Sequence, residues 1–279
     1  MFPSSALIVF REVLEAALVV GIVMAGSKGV PGRGLWIGSG ILAGVLGACV
    51  LALFADAIQG AAAGVGPELL NATILFAAVA MLGWHCVWMG RHGRDIARHM
   101  SDVSRAVLQG SRPLYALGIV VGLAVLREGS EVVLFLYGIA AGGGGGAAAM
   151  LGGGVVGLIG GAAVGVAIYA GLMRIPMRHL FAVTTWMIIV LAAGMASQGA
   201  RFLVQADLLP ALGNSLWDTS GILSERSVLG KVLHTLVGYD ARPSGVQLLF
   251  YGATLLIIGA LTWILGRSSS PAAPAARAA

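Results

Sequence analysis

Apolar runs of about 20 residues or more, almost free of charge, recur along this chain at 6–25, 35–57, 68–90, 114–141, 147–173, 179–203 and 246–266. A helix of about 20 apolar residues crosses a hydrocarbon core roughly 30 Å thick. The pattern therefore predicts an all-α, polytopic membrane protein with seven transmembrane helices. The polar positions between the runs are as regular as the runs. Lys28 and Arg33 follow the first, Arg91, Arg94, Arg98, Arg105 and Arg112 the third, Arg174 and Arg178 the fifth, and Arg267 and Arg277 the seventh. The connections 58–67 and 142–146 contain neither Lys nor Arg. Basic loops stay cytoplasmic, so the expected orientation has the N-terminus outside and the C-terminus inside. The opening Met-Phe-Pro-Ser-Ser has no basic region, and the first run is full length, so it reads as a retained helix and not a cleaved leader.

Composition agrees with the bilayer as solvent: 58% hydrophobic and 10% charged residues, with a mean hydropathy of +0.93, exceed what the interior of a soluble domain this size can hold. An isoelectric point near 9.7 would suggest nucleic acid for a soluble protein, but topology accounts for the basic residues here, and no nucleic-acid partner is expected. Cys49 and Cys86 fall inside predicted helices, which argues against a disulfide framework.

The third basic connection carries Ile96, Met100, Val103 and Val107 at helical spacing. It reads either as a short surface helix against anionic lipid or as a solvated charged face. The outer connection 204–245 mixes charged residues with leucines and is expected to be structured. The tail 267–279, rich in Ser, Pro and Ala, is expected to be a disordered cytoplasmic extension of a 1–266 permease domain.

The chain also resembles itself. F-R-E-V-L-E-A-A-L in the first run is repeated as L-R-E-G-S-E-V-V-L in the fourth. That spacing predicts two three-helix units, about 1–112 and 113–210, followed by the helix at 246–266. Three is odd, so the units must insert in opposite senses, an inverted repeat that places a substrate site where the halves meet. Counting turns from the predicted helix starts puts both motifs in the outer half of the membrane.

Within each motif Arg and the second Glu are four apart, Arg11 with Glu15 and Arg127 with Glu131. Glu12 and Glu128 precede those second glutamates by three. These offsets place all three groups on neighbouring parts of one helical face. A charge at the bilayer centre costs about 2.5 to 3.5 kcal/mol on insertion scales, so two matched clusters imply function. Four carboxylates against two guanidiniums leave a charge deficit that a cation can fill, and carboxylate oxygens suit hard ions: Mg²⁺, Ca²⁺, Mn²⁺ or iron. The competing reading is two salt-bridge clamps that hold the bundle together. Both can hold in part, with Arg11 and Arg127 orienting Glu15 and Glu131 while Glu12 and Glu128 face the ion.

The paired motifs resemble those of the oxidase-dependent iron transporter family, which includes a fungal high-affinity iron permease and a bacterial ferrous-iron uptake permease. Length, helix count and motif positions agree over nearly the whole chain, and the segments S-L-W-D-T-S-G-I-L-S-E and G-Y-D-A-R-P-S are similar to bacterial members. Ser130 stands where the fungal second motif commonly has leucine, at a position between the ligands. The resemblance implies an iron permease of the cytoplasmic membrane, with Glu12, Glu15, Glu128 and Glu131 handling iron as substrate and no permanently bound cofactor. It also implies separate extracytoplasmic iron-oxidising or iron-binding partners.

Two weaker groups accompany the motifs. His85, Met89 and His92, with His99 continuing the seven-residue period, suggest an inner release path, although that period separates the rings too far to share one ion. Asp56, Glu68, Asp218, Glu225 and Asp240 suggest an anionic outer vestibule, or else a wetted loop whose acids meet Arg226, Lys231 and Arg242. The rival functions are a transporter of another hard divalent ion such as Mn²⁺ and an intramembrane di-iron enzyme. The second is disfavoured because neither motif offers Glu-x-x-His.

Overall fold

The computed structural model describes residues 2–61, 66–141, 146–171, 177–213, 215–224 and 227–267. These residues form helices α1 (Phe2–Gly26), α2 (Arg33–Ala61), α3 (Pro67–Leu108), α4 (Tyr115–Ala141), α5 (Ala147–Tyr169), α6 (Met177–Gln205), α7 (Val228–Val237) and α8 (Gly245–Arg267). Five of them, α2, α3, α5, α6 and α8, contain stretches long and apolar enough to cross a membrane. The apolar runs at 6–25 and 114–141 lie in α1 and α4, which differ from those five by carrying an Arg and two Glu in mid-helix. Most of the expected tail lies outside the described residues.

Two glycine-lined contacts organise the bundle. Gly153, Gly157, Gly161 and Gly165 form a buried stripe on α5 that faces α1. A Cβ at Gly157 would lie 2.8 Å from the Phe10 amide nitrogen, and one at Gly161 would lie 2.7 Å from the Phe10 carbonyl oxygen. The partners advance together along both helices, from Phe2 beside Gly153 to Ala17 beside Gly165, so α1 and α5 run parallel. α2 and α4 do likewise, with Gly40 against Gly118, Gly44 against Gly122 and Val125, and Ala48 against Gly129. Lipid tails are as apolar as leucine, so helices associate in a bilayer by close packing, which small residues allow. The large side chains point outward instead: Leu42, Leu53, Ile159, Val166, Leu256 and Trp263 are all exposed.

The expected break after residue 90 is absent. α3 continues to Leu108, and Met100 and Val107 pack with Val23, Ile37, Leu117 and Val121. The apolar face of this stretch is covered by α1, α2 and α4, while its charged residues Asp95, Arg98, Asp102 and Arg105 are exposed, as the solvated-face reading expected. Gly26 makes room for it: a Cβ there would lie 2.7 Å from that of Ser104. This cluster sits at the end where α1 finishes and α2 and α4 begin. A second, larger core at the opposite end joins Ile8, Leu75, Leu82, Phe135, Ile139, Ile188 and Ala192. The motif residues lie between the two.

The connection after α6 is ordered around hydrogen bonds. Ser227 caps α7 by accepting from the Gly230 amide at 2.9 Å, and α7 ends at Gly238 in the left-handed conformation, φ 72°. Gly238 lies against the Gly194 backbone, and the rings of His234 and Tyr239 tie the segment down through Gln198 and Thr219.

Candidate functional site

α1 and α4 cross in the middle of the bundle and bring the two motifs to one level. The turn-counting expectation of an outer-half location drew α1 from residue 6. The helix begins at Phe2, so its motif lies nearer mid-helix, opposite that of α4. Arg11 is 1% exposed, Glu12 0%, Glu15 2% and Glu128 6%.

Arg11 forks between its two neighbours, donating from Nη1 to Glu12 Oε1 at 2.9 Å and pairing through Nη2 with Glu15 Oε1 at 2.9 Å. Helical spacing sets up the contact with Glu15, four positions on, and the length and fork of the guanidinium let it also reach the adjacent Glu12. In the second motif Arg127 Nε donates to Glu131 Oε1 at 3.2 Å, while Glu128 Oε1 is 3.9 Å away. The Arg127 guanidinium also stacks over Trp88 at 4.1 Å from the ring centroid. The two halves are unequal in exposure, the Arg11 side chain being 2% accessible and the Arg127 side chain 32%.

His85 enters from α3. Its Nδ1 contacts Glu131 Oε2, and its Nε2 lies 3.9 Å from Glu15 Oε2, so one ring touches both motifs. Phe135 holds the ring edge-on, at 6.5 Å between centroids. The heptad period had grouped His85 with Met89 and His92 toward the inner side, whereas its contacts are with the glutamates. The side chains of Met89 and His92 lie outside the described residues. Trp88 is the stacking partner of Arg127. No motif or spacing pointed to either contact, because both join α3 to helices distant in the chain.

Ligand atoms of two overlapping groups lie within 4.8 Å of one another: Glu12, Glu15 and Glu128, and Glu12, His85 and Glu131. Glu12 Oε2 and Glu128 Oε2 are buried without a hydrogen-bond partner. Orphaned buried carboxylate oxygens are costly unless something positive meets them. The donor set fits a divalent cation: carboxylate oxygens with one imidazole nitrogen. A cavity of about 280 Å³, lined by Met81, Trp84, His85, Trp88, Arg127 and Glu131, adjoins the second group.

The acids expected to form a vestibule are placed differently. Asp218 accepts from Ser220 Oγ and from the Ser220 amide, and pairs with Arg242 at 2.9 Å. Those bonds, Ser220 foremost, pull its carboxyl down to about 2. Asp240 accepts from the Arg242 amide and from Gln247 Nε2. Both acids thus hold the loop together, nearer the wetted-loop reading than an open vestibule. Glu68 is half-buried in the first turn of α3, while Glu225 and the Asp56 side chain lie outside the described residues.

A family model for the iron permease FTR1 family matches residues 2–268. The ferrous iron permease EfeU of Yersinia pestis is 32% identical over 280 residues, spanning 97% of this chain and 96% of that protein. The protein of the same name from Escherichia coli O157:H7 is 30% identical over 242 residues, or 85% of this chain and 87% of its own length. No solved structure matches. The chain belongs to the iron permease FTR1 family, transporters and not enzymes, and its apolar helices are those of a membrane protein.

Proposed function

We propose that this permease carries Fe²⁺ across the cytoplasmic membrane into the cell through the carboxylate cluster that its two Arg-Glu-x-x-Glu motifs form between α1 and α4. The observation that carries this reading is the pair of orphaned oxygens, Glu12 Oε2 and Glu128 Oε2, buried together at the crossing of two otherwise apolar helices. With all six motif groups ionised, four carboxylates face two guanidiniums, and one divalent ion neutralises the difference. The relatives are named for ferrous iron, which agrees with that charge.

The helix pairing supports an inverted repeat. Exchanging α1 with α4 and α2 with α5 turns the α1–α5 contact into the α4–α2 contact, and both are parallel, glycine-lined interfaces. In this reading α1 to α6 and α8 all span the bilayer. The ends of α1, α3, α5 and α8, where the basic connections leave, face the cytoplasm. The ordered segment between α6 and α8 then faces outward, where an iron-binding or iron-oxidising partner would deliver its ion.

Uptake of radioactive iron by a transporter-deficient strain, divided by folded protein in detergent extract, tests the site. Each of Glu12→Gln, Glu15→Gln, Glu128→Gln and Glu131→Gln should lower normalised uptake strongly, because the amide keeps the shape but loses the charge. Near wild-type normalised uptake in all four would make the motifs scaffolding.

A further inference from the structure

We propose that His85 is a nitrogen ligand in the ion path. With Glu12 and Glu131 it forms a second station beside the carboxylate-only group of Glu12, Glu15 and Glu128, and it gives the path its preference for transition metals over Mg²⁺ and Ca²⁺. The inference rests on the iron reading of the same cluster and adds a residue from a helix that carries no motif.

Three independent features point to it. First, the imidazole is 3% exposed and lies between one carboxylate from each motif, with Nδ1 in contact with Glu131 Oε2 and Nε2 3.9 Å from Glu15 Oε2. A buried imidazole set between two carboxylates offers nitrogen and oxygen donors to one point, the mixed set that a transition-metal ion takes. Second, the ligand atoms of both groups fall within 4.8 Å, and Glu12 belongs to each. Opposite ligands on one ion, with bonds of about 2.0–2.2 Å, stand about 4 Å apart, so small rotamer changes close either group on an ion. A shared Glu12 lets the ion change stations without ever losing all its ligands. Third, His85 and Glu131 line the 280 Å³ cavity, whereas Glu12, Glu15 and Glu128 do not. The nitrogen station therefore connects the sealed carboxylate group to open space.

The selectivity follows from ligand chemistry. Carboxylates alone suit Mg²⁺, Ca²⁺ and Mn²⁺, whereas imidazole suits iron, zinc, copper and nickel, so an added nitrogen tilts a hard site toward iron. Mg²⁺ also surrenders its water reluctantly and gains little from a nitrogen in exchange.

The test uses the purified full chain with Cu²⁺, an ion that imidazole suits, as a paramagnetic probe. Electron spin-echo envelope modulation of the bound ion should show an imidazole nitrogen coupling that shifts on ¹⁵N-histidine labelling. It should vanish in His85→Gln and persist in His99→Gln. In competition measurements His85→Gln should lose about tenfold or more in Fe²⁺ affinity, the range already seen when outer-sphere partners are removed. Its Mg²⁺ affinity should be unchanged. Bound Cu²⁺ without nitrogen coupling, combined with loss of binding in Glu12→Gln, would leave the carboxylate site standing and overturn the role of His85. Binding that Glu12→Gln does not alter would instead overturn the proposed site itself. If His85→Gln does not fold, the labelled wild-type spectrum decides the question.

Discussion

Removing the two motif arginines should have unequal consequences. Arg11 has a side chain 2% accessible and pairs at 2.9 Å with both Glu12 and Glu15. Arg11→Met leaves two carboxylates sealed without their nearest countercharge, and breaking a buried pair in this way costs about 3–5 kcal/mol. Arg127 is 32% accessible and holds Glu131 at 3.2 Å. At that exposure the pair is worth about 0.2–1 kcal/mol, and the stacking on Trp88 adds about 0.5–1 kcal/mol. The difference is roughly 2 kcal/mol, more than tenfold in the ratio of folded to unfolded protein. The assay is the midpoint of heat-induced loss of the monodisperse peak in fluorescence-detected size exclusion, in a mild detergent. Arg11→Met should lose folded protein or drop well below wild type, and Arg127→Met should stay near it. Arg11→Lys should fall between, since one ammonium cannot reproduce the fork to Glu12 and Glu15. Equal losses at the two arginines, or the larger loss at Arg127, would refute the reasoning from burial.

Other consequences are equally specific. Gly157→Leu, which forces a side chain to within 2.8 Å of the Phe10 amide nitrogen, should abolish the folded peak. Gly38→Leu, with nothing within 4 Å, should leave it intact, and a reversed order would discount the α1–α5 contact. Because the Asp218 carboxyl sits below its ordinary value of 3.8, its hold on the segment between α6 and α8 is fully present above that value and is lost only as pH falls through about 2. Protease protection of residues 215–224 should therefore be flat from pH 7 to pH 5, and Asp218→Asn should weaken it at neutral pH, whereas equal protection in wild type and variant would deny the clamp. A reporter fused after Arg267 should read cytoplasmic and one placed beside Asp218 extracytoplasmic; a cytoplasmic signal at Asp218 would undo the orientation and the inverted repeat together.

The membrane character, the long helices and the two Arg-Glu-x-x-Glu motifs were legible in the chain because each depends on near neighbours. The bilayer acts on every residue of an apolar run, and helical geometry alone brings Arg11 to Glu15 and Arg127 to Glu131. The recurrence of the motif in the first and fourth apolar runs was legible by comparing the chain with itself. What lay beyond reach was any contact between distant helices. The sequence offered His85 only as one of a heptad series, since nothing local tells that α3 passes beside both motifs and turns that ring toward Glu15 and Glu131. The run from Ile96 to Val107 showed an apolar face but not its partner, and the choice among lipid, water and the cluster around Val23 and Leu117 fell to packing. Two motifs identical in their Arg and Glu positions likewise gave no hint that one arginine is sealed while the other stacks on Trp88 beside a cavity. Spacing along a helix fixes which groups share a face, whereas burial, and with it the strength of every charge interaction at this site, is set by what the other helices place against that face.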